Sequence, residues 1–308
     1  MAADFRLHEY SQSELNVRSA LRTLRQIRAC AYDAIVNFEQ GSLAGTGFLR
    51  ATGIPNRLGL LSFANSAKAA FLTHCLAFRA QDSMWQSFGR LLRLVDPSLP
   101  ADLPPMPLPL AEAAVQHARA WLEARVDGSY VRKTVFHLGC GAGQPFKRWP
   151  IASFAALARR LAQSFPDQSI ILTGQPSERA LVEEFNSQYG GPSIDATGLT
   201  SLALTAGVLS QADLLVSNDT GIMHLGAAVG TPTVGLFGAS SPDQWAPFGP
   251  RVSYVYATKL GCSPCINSYL NIVPDHCGNR DVGGCMADIN PEVVFAAARK
   301  VIRGSWLD

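Results

Sequence analysis

Asp219-Thr220-Gly221 and His224 put a carboxylate, a hydroxyl, a glycine and an imidazole within six residues of one another. What such a run can do depends on its flanks. Leu214-Leu215-Val216, just upstream, reads as a buried parallel strand. Met223, Leu225, Ala227 and Ala228, just downstream, fit a helix. Asp219-Thr220-Gly221 therefore falls where a strand ends and a helix begins. The first N–H groups of a helix have no partners there, and the helix dipole is positive. Such a turn is a ready anion site, and Gly221 lets the backbone come close to a phosphate. A second strand, Thr233-Val234-Gly235-Leu236-Phe237, runs into Gly238-Ala239-Ser240-Ser241-Pro242, another small-residue loop. In an open parallel sheet, the loops at the carboxyl ends of strands line the ligand crevice.

Three further groups could carry chemistry. Thr134-Val135-Phe136-His137-Leu138 reads as a strand followed by Gly139-Cys140-Gly141-Ala142-Gly143. Alone, that loop suggests a dinucleotide-binding turn or the first motif of an S-adenosylmethionine methyltransferase. The next strand, Ser169-Ile170-Ile171-Leu172-Thr173, ends in Gly174-Gln175 and not in the acid that would hold a ribose, and His137 stands where the methyltransferase motif has an acid. Lys147 precedes Pro150, which suits the first turn of a helix. It could add a full charge to the partial charge of a dipole, as a departing diphosphate requires. His224 could donate to a phosphate or a sugar; the rival reading is a packed histidine.

Cys262, Cys265, Cys277 and Cys285 are spaced C-x2-C-x11-C-x7-C in a loop rich in Gly, Pro and Asn. A C-x-x-C pair puts two sulfurs on one turn, and two later cysteines could complete a tetrahedral structural site for zinc or iron, with His276 a spare ligand. Free thiols are the alternative, and a disulfide is the least favoured in a reducing compartment.

Asp219-Thr220-Gly221-x-x-His224-x-x-Ala227-Ala228-x-Gly230-Thr231-Pro232-Thr233-Val234-x-Leu236-Phe237-Gly238 resembles the signature of glycosyltransferase family 9, the ADP-heptose:lipopolysaccharide heptosyltransferases and their relatives. The likeness continues through Trp245-x-Pro247-Phe248-Gly249 and, upstream, Lys147-Arg148-Trp149-Pro150. It implies an α/β fold of GT-B type: two Rossmann-like domains facing a cleft. It also implies inverting transfer of a heptose, or a related sugar, from a nucleotide-diphosphate donor such as ADP-heptose to a lipopolysaccharide core or similar glycan. The resemblance makes Lys147 the donor-diphosphate residue and places Asp219, Thr220, Gly221 and His224 at the donor. It assigns Glu178 to the donor ribose, with a helix-start charge as the equal alternative, and Thr200 to the nucleotide base. Gln40, Gly41 and Ser42, after the strand Ala34-Ile35-Val36-Asn37-Phe38, fall on the acceptor side; simple turn chemistry explains them equally well. No cofactor is required for catalysis.

In that family a strand, a Gly-rich loop with an acid, and a helix come first. The matching stretch should precede Ser11, so the N-terminal domain reads as truncated by about two βα units, or roughly 50–60 residues. The family's general base falls in that stretch. Asp33, Glu39 and Asp82 lack its context. A second reading follows, of a catalytically impaired nucleotide-sugar-binding relative; a methyltransferase is the third.

The elements that must position these residues can be laid out along the chain. Residues 1–128 read as the acceptor-side domain, 129–288 as the donor domain, and 289–308 as a helix returning to the first domain. Residues 11–30 read as a helix with Val17, Leu21, Leu24 and Ile27 on one face and Arg18, Arg22, Arg25 and Arg28 on another. The arginines could meet anionic lipid at an inner membrane or acceptor phosphate, but a solvated face is the plainer account. Trp85, Phe88, Leu91, Leu92 and Val95 have helical spacing. Six prolines between residues 97 and 109 make a semi-rigid linker, followed by a helix over 111–125.

The chain has 308 residues, 47% hydrophobic and 16% charged, with a net charge of +2. That suits a globular protein of one or two domains and gives no general pull toward nucleic acid. No run approaches the roughly 20 apolar residues that span a bilayer, and no signal-peptide core opens the sequence. The expected location is cytoplasmic.

Overall fold

The structure is a computed structural model describing residues 17–38, 43–79, 81–100, 102–126, 128, 131–141, 144–199, 201–257, 260–267, 272–278 and 283–302. It divides into two compact units. Of the described residues, those within 17–79 and 87–100 form the first, and those within 81–86, 102–267 and 272–302 the second.

The first unit carries α1 (Val17–Ala29), β1 (Ala34–Asn37), α2 (Leu43–Ala51), β2 (Asn56–Leu61), a 3-10 segment (Phe63–Phe71) and β3 (His74–Ala77). The strands form a parallel sheet in the order β1-β2-β3, with Ala34 opposite Asn56 and Leu58 opposite His74. Leu58 and Leu60 are buried, as are Ile27 of α1 and Ile54. The helix expected over 11–30 is seen from Val17. Its arginines do not act as one face: Arg28 donates to the carbonyl oxygens of Ala51 and Thr52, closing the end of α2, whereas Arg18, Arg22 and Arg25 are exposed. β2 and β3 were not visible in the sequence pattern, since Asn56-Arg57-Leu58-Gly59-Leu60-Leu61 neither alternates cleanly nor forms an apolar run.

Next come α3 (Met84–Leu92), which confirms the helical spacing of Trp85 to Leu92, and α4 (Glu112–Glu123). The larger sheet contains β4 (Arg132–His137), β5 (Gln168–Thr173), β6 (Ser193–Asp195), β7 (Leu214–Asn218), β8 (Thr233–Phe237) and β9 (Val252–Tyr256). Its order is β6-β5-β4-β7-β8-β9, and every pair is parallel. Between the strands lie α5 (Ile151–Ser164), α6 (Arg179–Tyr189), α7 (Leu202–Ser210), α8 (Gly221–Ala228) and α9 (Pro242–Trp245). α10 (Gly284–Ala287) and α11 (Pro291–Val301) follow β9.

Alternation along the central strands sorts the core into two layers. Phe136, Leu172, Val216 and Val234 face α5, α6 and α11, with Phe154, Leu157, Leu161 and Phe185 packed on them. Val135, Ile171 and Leu215 face the opposite layer, built from α4 and α7 with Ala118, Leu122, Leu204 and Val208. Both faces are covered, so these strands read as near-continuous apolar runs. Each such side chain contributes about 1.5–3 kcal/mol on burial.

Two expected boundaries are corrected. Ala118 and Leu122 of α4 are buried against Val135 and Ile171, so the second unit takes in α4 and the chain from residue 102, not from 129. α11 packs on the second unit. Val294, Phe295, Ala298 and Val301 form an apolar stripe buried beside α5, β8 and β9, and the helix belongs to the second unit.

Candidate functional site

The strand order places β4 beside β7, so the connections leaving these neighbours run to opposite sides and leave a crevice at their carboxyl ends. A cavity of about 850 Å³ opens there, within the second unit. Lys147, Glu178, Asp219, Thr220, Gly221 and His224, six of the seven donor-side candidates, line it. The seventh, Thr200, lies outside the described residues, as do Gln40, Gly41 and Ser42.

Lys147 closes a short 3-10 turn, Pro145–Lys147, just ahead of α5. Its Nζ lies 2.8 Å from Asp219 Oδ2, with the two side chains 13% and 10% exposed. Asp219 Oδ2 also accepts a hydrogen bond from Ser240 Oγ, which comes from the loop after β8. Three strand ends thus converge on one carboxylate. Thr220 is extended and caps α8 with its backbone alone. Met223 N–H bonds to Thr220 O, so the N–H groups of Gly221 and Ile222 are the ones left at the helix start. A Cβ built on Gly221 would meet nothing within 4 Å; the space over this turn belongs to the cavity.

Asn218 supplies the frame. It is fully buried, and its Nδ2 donates to Leu138 O and Gly139 O, each at 3.0 Å. Its Oδ1 accepts from Trp149 N–H at 2.8 Å. One amide therefore ties the end of β7 to the glycine loop after β4 and to the turn that carries Lys147. Trp149, also fully buried, donates from Nε1 to Ile289 O.

Glu178 does more than start a helix. Its Oε2 accepts from Gln175 N–H at 2.9 Å and its Oε1 from Gly141 N–H at 3.4 Å. The carboxylate occupies the place where a side chain on Gly139 would stand, only 1.9 Å from a Cβ built there. The strand β5 ends without an acid, yet the 3-10 turn Pro176–Glu178 brings one back over the glycine loop.

His224 is pushed below the usual histidine range by burial, with Asp219 opposing the shift and Lys147 adding to it. At neutral pH it is an uncharged imidazole on the cavity wall. His137, which sequence reasoning set aside, is 7% exposed at the end of β4, and burial lowers it to about 4. The unfolded chain, with a histidine near 6.5, binds the proton that the folded chain refuses. Stability is therefore complete above about pH 6.5 and falls as pH drops toward 4, by up to about 3 kcal/mol from this residue. Urea unfolding at pH 7.0 and 5.0 measures the loss, and His137→Gln should flatten the slope.

The cysteine loop packs behind this site. Cys265 and Cys277 lie on Phe146, Ala239 and Ile266, and Ile266 N–H bonds to Ala239 O. Cys285 is buried on α10, where glycine at 238 leaves room for its sulfur. Burial raises the Cys265 thiol, and raises that of Cys285 to about 11; the neighbouring sulfurs add smaller contributions to both. The expected structural site is not assembled: among the described residues no three His, Cys, Asp or Glu side chains form a group that could hold a metal ion. Cys262 is exposed whereas Cys285 is buried, and all the cysteines are free thiols. The sulfurs of Cys262, Cys265 and Cys277 are nonetheless near enough to Cys285 to raise its thiol, and Cys265 and Cys277 pack against Phe146 and Ala239. No helix among the described residues is long and apolar enough to cross a membrane.

Known proteins resemble this chain in sequence and in fold. The chain is 27% identical over 176 residues to lipooligosaccharide heptosyltransferase 2 of Campylobacter jejuni subsp. jejuni serotype O:2, covering 55% of this chain and 52% of that protein. The chain thus spans about half the length of that protein, and 32% of lipopolysaccharide heptosyltransferase 2 of Salmonella typhimurium. The crystal structure of the family 9 glycosyltransferase of Veillonella parvula shares the fold, with a TM-score of 0.73 at 19% identity over 95% of this chain and 81% of that one. The E. coli heptosyltransferase WaaC, solved with ADP, gives a TM-score of 0.62 at 17% identity, over 92% and 77%. The family model of glycosyltransferase family 9 (heptosyltransferase) matches residues 20–271, and the chain belongs to that family.

Proposed function

We propose that the cavity of the second unit binds the nucleoside diphosphate of a nucleotide sugar, and that the protein transfers the sugar, a heptose from ADP-heptose, to a lipopolysaccharide core or similar glycan. The observation that carries this is the convergence of the Lys147 ammonium with the free N–H groups of Gly221 and Ile222 on one wall of an 850 Å³ cavity. The neighbouring structure solved with ADP supports the choice of nucleotide. In the reaction an acceptor hydroxyl attacks the anomeric carbon as the bond to the diphosphate oxygen breaks, which inverts the centre. The hydroxyl proton passes to a carboxylate base on the acceptor side, a role that neither Asp219 nor Glu178 of the donor cavity fills. Negative charge grows on the departing diphosphate, where Lys147 and the start of α8 are already aimed. Asp219 holds Lys147 in place, and Ser240 in turn orients Asp219. Charge stabilisation at the leaving group thus comes from side chains and a helix terminus of this chain.

Calorimetric titration of the purified chain with ADP, followed by an assay of heptose transfer to a deacylated lipopolysaccharide acceptor, tests the reading. Saturable ADP binding with transfer is expected. Binding without transfer would leave a nucleotide-sugar-binding relative. No ADP binding by the folded chain would overturn the proposal.

A further inference from the structure

The cavity floor holds a histidine that the proposed reaction leaves without a task. His137 Nδ1 lies 3.2 Å from Thr173 Oγ1, on the neighbouring strand. The same hydroxyl lies 3.4 Å from Phe136 O, a carbonyl that can only accept. With its one proton directed there, Thr173 accepts from the imidazole, and Nδ1 carries the ring proton. Burial keeps the ring uncharged at neutral pH. Nε2 then bears a lone pair; His137 lines the cavity, and its ring meets the Thr173 backbone as well as the Thr173 hydroxyl.

Glu178 is the second acceptor at this place. Its charge is felt at His137, and both its oxygens are steadied by backbone N–H groups while keeping lone pairs to spare. Two acceptors at the ends of β4 and β5 call for two neighbouring donors on the ligand. On one side of them lies the cationic wall of Lys147 and the start of α8; on the other, past the end of β6, lie the apolar side chains of Leu199 and Leu202. In a nucleoside diphosphate, the group between the phosphates and the apolar base is the ribose, with its vicinal hydroxyls. The geometry points to His137 as a specificity-determining residue that accepts a hydrogen bond from a ribose hydroxyl, so that the cavity selects ribonucleotides over their deoxy counterparts. This rests on the nucleotide reading of the cavity and adds to it a discrimination that this chain's own histidine performs.

The test compares ADP with 2′,3′-dideoxy-ADP by calorimetry on the wild type, His137→Leu and His137→Gln. The wild type should prefer ADP by about tenfold or more, the usual effect of leaving a buried acceptor without its partner. His137→Leu should weaken ADP by about tenfold and leave dideoxy-ADP unchanged. His137→Gln, whose amide oxygen restores an acceptor, should recover part of the preference. Equal weakening of both nucleotides by His137→Leu would make the residue merely structural and overturn the inference. A wild type that binds both nucleotides equally would also overturn it, while leaving the nucleotide site intact; a wild type that binds neither removes both. Imidazole 15N spectra of the wild type provide a check that needs no variant. An unprotonated Nε2 that shifts with ADP but not with dideoxy-ADP is expected, and a protonated Nε2 would sink the assignment.

Discussion

Lys147→Ala should lower ADP affinity by about 100-fold or more, because truncating one partner of a desolvated charge pair costs roughly 2–5 kcal/mol. Lys147 is only 13% exposed, so in the proposed site it would meet the diphosphate where water is scarce and bulk screening could not replace it. The same change leaves Asp219 nearly buried, with Ser240 as its remaining neutral partner. A stability loss of about 1–3 kcal/mol should accompany the loss of binding. The two effects can be separated. In Lys147→Ala/Asp219→Asn the stranded charge is gone, so stability should recover while ADP binding stays lost. Urea unfolding and calorimetry on the single and double variants read both quantities. A single variant that binds ADP within threefold of wild type would show that Lys147 does not face the diphosphate.

Asn218→Ala should have the largest effect on stability, about 2–4 kcal/mol. The side chain is fully buried, and its loss strands the Trp149 N–H and the inward carbonyls of Leu138 and Gly139. For a body of this size the melting temperature should fall by roughly 5–15 °C. Asn218→Asp should be no milder: the Trp149 N–H keeps an acceptor, but a carboxylate oxygen replaces the amide that served two carbonyls. ADP affinity should drop along with stability in both, because the amide fixes the turn bearing Lys147 relative to the Asp219 turn. If Asn218→Ala melts like the wild type, the amide is not the tie described.

The stretch from Leu214 to Gly238 could be read almost completely from sequence. Leu214-Leu215-Val216 and Thr233–Phe237 are strands because a doubly covered parallel sheet demands unbroken apolar runs, and those runs are visible in a string of letters. The small and polar residues that follow each run mark the strand ends, so the strand-to-helix turn at Asp219-Thr220-Gly221 is legible in the sequence. Helices with an apolar stripe, such as α5 and α11, were equally plain, as was Lys147 ahead of Pro150. The strands β2 and β3 were not, because short strands with mixed burial carry no period that separates them from loop.

Other features depended on folding in three dimensions. Sequence spacing argued against an acid beside the glycine loop, since β5 ends in Gly174-Gln175. A turn of three residues nonetheless carries Glu178 back until its carboxylate fills the space over Gly139. His137 looked like the wrong residue for a familiar motif. Burial at the end of β4 keeps it uncharged, and the sheet register sets Thr173, 36 positions away, beside its ring. The cysteines have the spacing of a metal site, yet Cys285 is drawn into the core beside Gly238 while Cys262 stays at the surface. The chain's local pattern therefore determined which of these segments are strands and helices and which turn joins a strand end to a helix start, because those depend on residues a few positions apart. The partners of Asp219, Asn218 and His137, and the contact of Glu178 with Gly141, were decided by tertiary structure, because hydrogen bonds and ion pairs reach only about 3 Å and the residues they join lie 21 to 81 positions apart in the chain.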